Sequence, residues 1–128
     1  GCGSGILAIG AALHGARAID AVDIDPAAVE ATRANARANG VVVNAALPQA
    51  AQGAYDLVLA NILAKPLTLL APLLCKHLAP GASLVLAGIL ERQADELREA
   101  YAPWCALDVG DSAEGWVLMT ATASGAAR

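Results

Sequence analysis

The sequence predicts an α/β fold with a doubly wound, mostly parallel sheet and an antiparallel strand at its C-terminal edge. Short apolar stretches alternate with longer stretches of helical period along most of the chain. This alternation is typical of parallel strands joined by helices. The last two apolar stretches, residues 104–111 and 115–123, follow each other with no helical stretch between them. Two consecutive strands of this kind predict an antiparallel edge.

Each element has its own signal. Predicted helices occupy residues 4–15, 26–39, 66–81 and 91–102. Predicted strands occupy residues 16–24, 41–45, 55–61, 82–90, 104–111 and 115–123. Asp25 followed by Pro26 indicates a helix start, because aspartate caps a first turn and proline suits the first helical position. Pro72 is expected to bend the third helix, the strand at 41–45 is expected to be buried, and residues 110–115 are expected to form the last turn.

The composition fits one packed domain over residues 1–128. The chain is 57% hydrophobic and 16% charged, and its net charge is −4. An acidic chain does not favour direct nucleic-acid binding, which needs clustered Lys and Arg. Its apolar runs are shorter than the ~18–20 residues of a membrane span, so no membrane contact is expected. Cys2, Cys75 and Cys105 are far apart with no C-x-x-C pair, which favours a reduced, cytoplasmic protein without a metal site. We expect a monomer.

The first five residues, GCGSG, have the composition of a ligand-binding loop. Glycines permit positive φ and close approach of a ligand, and the helix that follows presents its N-terminal N–H groups. Such a loop at the carboxyl edge of a parallel sheet holds a nucleotide or cofactor. Ile6 stands where the dinucleotide fingerprint G-x-G-x-x-G requires glycine, and no G-K-[ST] follows. The spacing suits S-adenosylmethionine, and Gly1 and Gly3 are candidate contacts.

Two further side chains complete the candidate site. Asp23 ends the next strand, where a carboxylate can accept both ribose hydroxyls of an adenosine. Asn61 ends the strand that begins at residue 55, which in a doubly wound sheet lies beside the first loop. Its amide would face the reactive end of the cofactor, so Asn61 is the candidate catalytic residue. The alternative is a turn asparagine that starts the next helix near Pro66.

The stretches "GCGSGILAIGAALHGARAIDAVDIDPAAVEATRANARANGV", "DLVLANILAKPLTLLAPLL" and "LAPGASLVLAGIL" together resemble the class I S-adenosylmethionine-dependent methyltransferases, which have a Rossmann-like fold. "ANILAKPL" and "LAGIL" narrow the resemblance to the bacterial ribosomal protein L-eleven methyltransferase family. The resemblance implies methylation of lysine side chains and of the N-terminal α-amine of a large-subunit ribosomal protein. It also implies cofactor contacts at Gly1, Asp23 and Asn61.

The resemblance further implies a strand before the glycine loop and an N-terminal substrate-recognition domain, and neither is present in this sequence. In that fold the first strand is central, between the second and fourth strands. Without it, two apolar strands would have open edges with backbone groups that need partners. We therefore expect this chain to be a fragment of a longer enzyme, partial at its N-terminus.

Other functions stay open. One is a methyltransferase acting on glutamine, nucleic acid or a small molecule, although Asn61-Ile62-Leu63-Ala64 lacks the Asn-Pro-Pro-aromatic motif of many enzymes that methylate bases or glutamine. Another is a catalytically inactive, cofactor-binding fragment. A nicotinamide oxidoreductase is disfavoured by the loop spacing. No general base is evident, since His14 and His77 lie on predicted helices away from the loop edge.

Overall fold

The computed structural model describes residues 1–51 and 53–123. Its α-helices are α1 (Ile6–Leu13), α2 (Pro26–Ala38), α3 (Ala64–Leu69), α4 (Ala71–Lys76) and α5 (Ala94–Tyr101). Its strands are β1 (Asp20–Val22), β2 (Asn44–Ala46), β3 (Tyr55–Asn61), β4 (Leu78–Leu90), β5 (Asp108–Ala113) and β6 (Trp116–Thr122). Short 3-10 turns occupy Pro48–Ala50 and Glu91–Gln93. Within these ranges no helix combines the length and the apolar character needed to cross a membrane.

The chain divides into two compact units, Gly1–Gln52 and Gly53–Arg128. In the first unit β1 and β2 form a parallel pair, in which Val22 lies opposite Ala46. The pairing extends over three residues of each strand. This unit therefore has the order helix, strand, helix, strand that the sequence predicts.

Helix α2 packs against this strand pair. Its buried residues, Val29, Thr32 and Ala36, follow the i, i+3, i+7 spacing of one helical face. Beside that face, the Arg33 guanidinium donates two hydrogen bonds to the Ala45 carbonyl, at 2.9 and 3.2 Å. The buried stripe and this polar tether together fix the helix to β2.

The second unit contains a four-stranded sheet in the order β3-β4-β6-β5. β3 and β4 are parallel, with Asn61 opposite Ala87. β6 pairs antiparallel with the other side of β4, and β5 forms the antiparallel edge. The predicted α/β class, with parallel strands followed by an antiparallel C-terminal edge, is confirmed.

Helices α3, α4 and α5 contribute to the hydrophobic core of the second unit. The core is completed by inward-facing residues of β4 and β6, among them Leu84, Leu86, Ile89, Val117 and Met119. Tyr101, at the end of α5, is fully buried, and its hydroxyl donates to the Leu67 carbonyl at 2.7 Å. Because α3 ends at Leu69, this carbonyl is among the last four of the helix, which lack a partner in the helix itself. The tyrosine supplies that partner and joins α5 to α3.

The predicted helix over residues 66–81 is wrong in two respects. The segment forms two short helices that meet at Leu70, two residues before Pro72. Pro72 has no N–H to donate to the Thr68 carbonyl, so a continuous helix would lose that bond. The chain also enters β4 at Leu78 rather than continuing as a helix, because Leu78 is buried and pairs with Tyr55 of β3.

Two predicted strands, 41–45 and 104–111, and the predicted turn at 110–115 differ from the structure in extent or burial. Residues 41–43 lie outside β2, and the Val42 side chain is 91% exposed, so the predicted burial of strand 41–45 is wrong. β5 starts at Asp108 instead of residue 104. The last turn is shorter than the predicted 110–115, because β5 runs on to Ala113.

Glu114 and Gly115 form that last turn, with φ of 54° and 83°. Positive φ at both central residues is typical of two-residue hairpin turns, in which the twist of the turn matches the twist of the flanking strands. Glycine adopts this conformation without strain, which explains why Gly115 marks the turn.

We predict that Tyr101→Phe lowers the free energy of unfolding by about 1–3 kcal/mol, because the Leu67 carbonyl loses its partner inside the core. Burial, and to a lesser extent the nearby Cys75 and Cys105, raise the pKa of Tyr101 well above its ordinary value, so its hydroxyl stays a donor at neutral pH. Urea unfolding measures the loss. Trp116→Phe, at a half-exposed side chain, should change stability by less than about 0.5 kcal/mol. Equal stability of Tyr101→Phe and the unaltered protein would contradict the assignment.

Candidate cofactor-binding site

The opening loop, Gly1–Gly5, leads directly into α1, and two of its glycines have positive φ. Gly3 has φ 55°, and Gly5, the N-cap of α1, has φ 86°. Side chains of L-residues rarely tolerate this conformation. A Cβ on Gly5 would also lie 2.8 Å from Cγ2 of Thr32. Position 5 therefore requires glycine for its backbone conformation and for the space around it.

The start of the loop lies along one edge of β1. The amino group of Gly1 and the N–H of Cys2 donate to the Val22 carbonyl at 2.7 and 2.8 Å. The opposite edge of β1 pairs with β2, where the Asp23 N–H donates to the Ala46 carbonyl at 3.2 Å. The loop is thus fixed beside the carboxyl end of β1, directly before Asp23.

The Asp23 carboxylate joins the loop to the end of β1. Its Oδ2 accepts the N–H of Gly3 at 3.0 Å, and its Oδ1 accepts the N–H of Asp25 at 3.0 Å. The Gly1 amino group lies 3.7 Å from Oδ2. The hydrogen bonds from Asp25 and Gly3 hold the pKa of Asp23 below its ordinary value, against the opposite effect of partial burial.

Asp23 keeps the capacity to bind a ligand while it holds the loop. An ionised carboxylate offers about four acceptor positions, and the two backbone N–H groups occupy two of them. The side chain is 13% exposed. A neutral polyol such as a ribose brings hydroxyl donors, which match these remaining positions. The residues present therefore fit the adenosine part of S-adenosylmethionine.

Asp25 has a separate, structural role. It is the N-cap of α2, and its Oδ1 accepts the Ala27 N–H at 2.9 Å. Pro26 follows in the first turn. The prediction that Asp25 caps the helix is confirmed. Asp23, the other acid of AVDIDP, contacts the loop.

Two residues of α2 that the sequence analysis missed hold the loop from the other side. The Thr32 hydroxyl donates to the Gly3 carbonyl at 3.1 Å. The Asn35 amide donates to the Ser4 carbonyl at 2.9 Å. A signal for Thr32 was present, because a hydroxyl occupies a helical position between the apolar Val29 and Ala36. That pattern alone does not show which distant backbone group the hydroxyl bonds.

Asn61 belongs to the second unit and is the last residue of β3. Its side chain is exposed. The alternative role as the asparagine that starts the next helix is wrong, because Leu63 is the N-cap of α3. Asn61 therefore ends a parallel strand, which is the position where open α/β sheets carry ligand contacts.

Gly88 of β4 lies against Asn61. It has φ 81°, and a Cβ there would lie 2.8 Å from Asn61 Oδ1 and 2.9 Å from the Ile62 carbonyl oxygen. The register between β4 and β6 shifts between Leu86 and Ile89, which indicates a bulge at this point. The glycine of the LAGIL motif thus leaves the space that the Asn61 carboxamide occupies.

The structure brings three of the four predicted site residues together. In the first unit the Gly3 N–H is hydrogen-bonded to Asp23, and the Gly1 amino group lies 3.7 Å from the same carboxylate. Asn61 lies in the second unit. Their roles toward a ligand stay predictions.

The chain is similar to known proteins over nearly its whole length. A family model described as "Ribosomal protein L11 methyltransferase (PrmA)" matches residues 1–124. The ribosomal protein L11 methyltransferase of Polaromonas sp. (strain JS666) is 71% identical over 121 residues, which are 94% of this chain. The protein of the same name from Dechloromonas aromatica is 54% identical over 122 residues, or 93% of this chain. The matches cover 41% and 40% of these two relatives, so the chain spans about two fifths of their length.

Solved structures agree with this similarity. The ribosomal protein L11 methylase of Lactobacillus delbrueckii subsp. bulgaricus superimposes with a TM-score of 0.87 at 32% identity, covering 97% of this chain and 67% of that one. An RNA methyltransferase from Salinibacter ruber, solved with S-adenosyl-L-homocysteine, superimposes with a TM-score of 0.73 at 26% identity, covering 97% and 77%. The chain has the class I methyltransferase fold and belongs to the ribosomal protein L11 methyltransferase (PrmA) family.

Proposed function

We propose that this chain is the S-adenosylmethionine-binding, catalytic part of an enzyme that methylates amino groups of ribosomal protein L11, both lysine side chains and the N-terminal α-amine. The observation that supports it most directly is the 3.0 Å hydrogen bond between the Gly3 N–H and the Asp23 carboxylate. It joins the two halves of a cofactor-binding signal, the glycine loop and the strand-end acid, in a chain that belongs to this family.

The proposed roles in binding follow from the local chemistry. Asp23 accepts hydrogen bonds from the ribose hydroxyls, and the glycines of the opening loop let the ligand approach the backbone closely. When bound, S-adenosylmethionine supplies a methyl group that is already activated by a positively charged sulfur. The structure of the Salinibacter ruber methyltransferase with S-adenosyl-L-homocysteine supports this class of ligand for the fold.

The protein's part in the reaction is placement of the acceptor amine. The carbonyl oxygen of the Asn61 amide accepts a hydrogen bond from the neutral amine and so orients its lone pair. A lysine amine has an unperturbed pKa of about 10.4 and must lose a proton before it can react. Asn61 cannot take that proton, and water is the acceptor in this proposal.

The two histidines have structural positions. His14 is the C-cap of α1. His77 is the C-cap of α4, and its Nδ1 lies 2.9 Å from the Gly53 carbonyl oxygen. The centroid of its ring lies 5.8 Å from that of the Tyr55 ring. These contacts favour a mechanism without histidine as general base. The three residues directly after Asn61, Ile62-Leu63-Ala64, include no aromatic residue to stack on a flat base, which supports an aliphatic amine as acceptor.

Asp23→Asn should raise the Kd for S-adenosylhomocysteine about 10- to 100-fold, because hydrogen bonds to a charged group are worth about 1.5–3 kcal/mol. Isothermal titration calorimetry measures it. Asp25→Asn is the matched control: it removes the same charge two residues away, and asparagine caps helices as well as aspartate. The control should bind like the unaltered protein. Tight binding by Asp23→Asn would remove Asp23 from the site.

The pH dependence of binding follows from the lowered pKa of Asp23. Because the carboxylate stays ionised below its ordinary range, the affinity advantage of the unaltered protein over Asp23→Asn should be constant from pH 8 to about pH 5. It should decline only when the pH falls below about 4, where the carboxylate begins to protonate. Fluorescence titrations across this range test it. A decline already between pH 7 and pH 5 would indicate a raised pKa and contradict the prediction.

Asn61→Ala should lower kcat for methyl transfer to ribosomal protein L11 about 10- to 100-fold, while the thermal midpoint changes little, because the side chain is exposed and acts on the reacting amine. Methyl incorporation, located on the product by mass spectrometry, is the measurement. Asn39→Ala, at the end of α2, is the control and should keep full turnover. Unchanged kcat in Asn61→Ala would exclude the proposed role.

A further inference from the structure

Thr32 is a fully buried hydroxyl in a helical stripe that is otherwise apolar. Its exposed fraction is 0%, and its neighbours on the same face of α2 are Val29 and Ala36. A buried hydroxyl without a partner costs stability, so its bonding must be accounted for. Both of its polar contacts are with the opening loop.

The protons in this contact can be assigned. The Thr32 hydroxyl donates its single proton to the Gly3 carbonyl at 3.1 Å. Its oxygen also lies 3.2 Å from Sγ of Cys2. Because the hydroxyl proton is already used, the Cys2 thiol is the donor in that second contact. The thiol, the hydroxyl and the carbonyl form a short chain from loop residue 2 to loop residue 3 through α2.

The methyl group of the same side chain limits which residue can occupy position 5 of the loop. Cγ2 of Thr32 would be 2.8 Å from a Cβ on Gly5. β-Branched side chains have restricted χ1 rotation, so the hydroxyl and the methyl are both fixed relative to the backbone of α2. The Thr32 hydroxyl thus contacts loop residues 2 and 3, and the Thr32 side chain leaves no space for a Cβ at residue 5.

Gly3 is held through both of its backbone polar groups. Its N–H donates to Asp23 Oδ2 at 3.0 Å, and its carbonyl accepts from Thr32 at 3.1 Å. We infer that Thr32 is a positioning residue for cofactor binding: it fixes Gly3 and, through Gly3, the orientation of the Asp23 carboxylate. This inference rests on the proposed function, because it assigns Thr32 to the same cofactor site.

The experiment compares two substitutions at position 32 with opposite chemistry. Thr32→Val keeps the shape and removes the hydroxyl, whereas Thr32→Ser keeps the hydroxyl and removes the methyl. The Kd for S-adenosylhomocysteine is measured by calorimetry well below the thermal midpoint of every variant. We expect Thr32→Val to bind about 3- to 10-fold more weakly, the effect of one lost hydrogen bond, and Thr32→Ser to bind within about 3-fold of the unaltered protein.

A stability control separates positioning from folding. Val29→Ala removes buried volume from the same helix face and should lower the thermal midpoint without changing the Kd. If Thr32→Val does not fold, Thr32→Ala removes the same hydroxyl and its bond to the Gly3 carbonyl, and it should also weaken binding.

The outcomes for the two proposals are distinct. No binding of S-adenosylhomocysteine by the unaltered protein overturns the proposed function, and this inference with it. If the unaltered protein binds normally and the Kd is unchanged in Thr32→Val, the inference is overturned and the proposed function stands. Where Thr32→Val is unfolded, an unchanged Kd in Thr32→Ala has the same meaning.

Discussion

The hydrogen bond from the Gly3 N–H to the Asp23 carboxylate is the interaction on which the candidate site depends. The same carboxylate accepts the Asp25 N–H, and Asp25 caps α2. One side chain therefore connects the opening loop, the end of β1 and the start of α2. Because both bonds favour the ionised form, they lower the pKa of Asp23 and keep a negative charge at the position where hydroxyl donors of a ligand would bind.

The second support for the loop comes from the far side, through α2. Thr32 and Asn35 bond the carbonyls of Gly3 and Ser4, while Asp23 bonds an N–H group of the same segment. Backbone donors and acceptors of the loop are thus satisfied from opposite directions. A glycine-rich segment loses more conformational freedom on ordering than any other, so these bonds offset a cost that the glycines themselves introduce.

Local signals in the sequence were sufficient for much of this arrangement. Asp25 as a helix cap depends on residues next to it, and the nearness of Asp23 to the loop follows from the strand–loop–helix pattern. Contacts between distant residues were not predictable in this way. The bond from Thr32 to Gly3 spans 29 positions, and the bond from Tyr101 to the Leu67 carbonyl spans 34. Likewise, the apolar character of Val42 predicts burial, but its 91% exposure depends on where β2 begins.

Glycine has the same physical role in both units, and this role is not flexibility. Gly5 and Gly88 both have positive φ, with values of 86° and 81°. At each position a Cβ would come within 2.8 Å of a polar residue's side chain, Thr32 in the first unit and Asn61 in the second. The glycines of GCGSG and LAGIL therefore define the space that these two side chains occupy. A substitution at either glycine would displace the neighbouring side chain, so the positions of Thr32 and Asn61 depend on residues that have no side chain of their own.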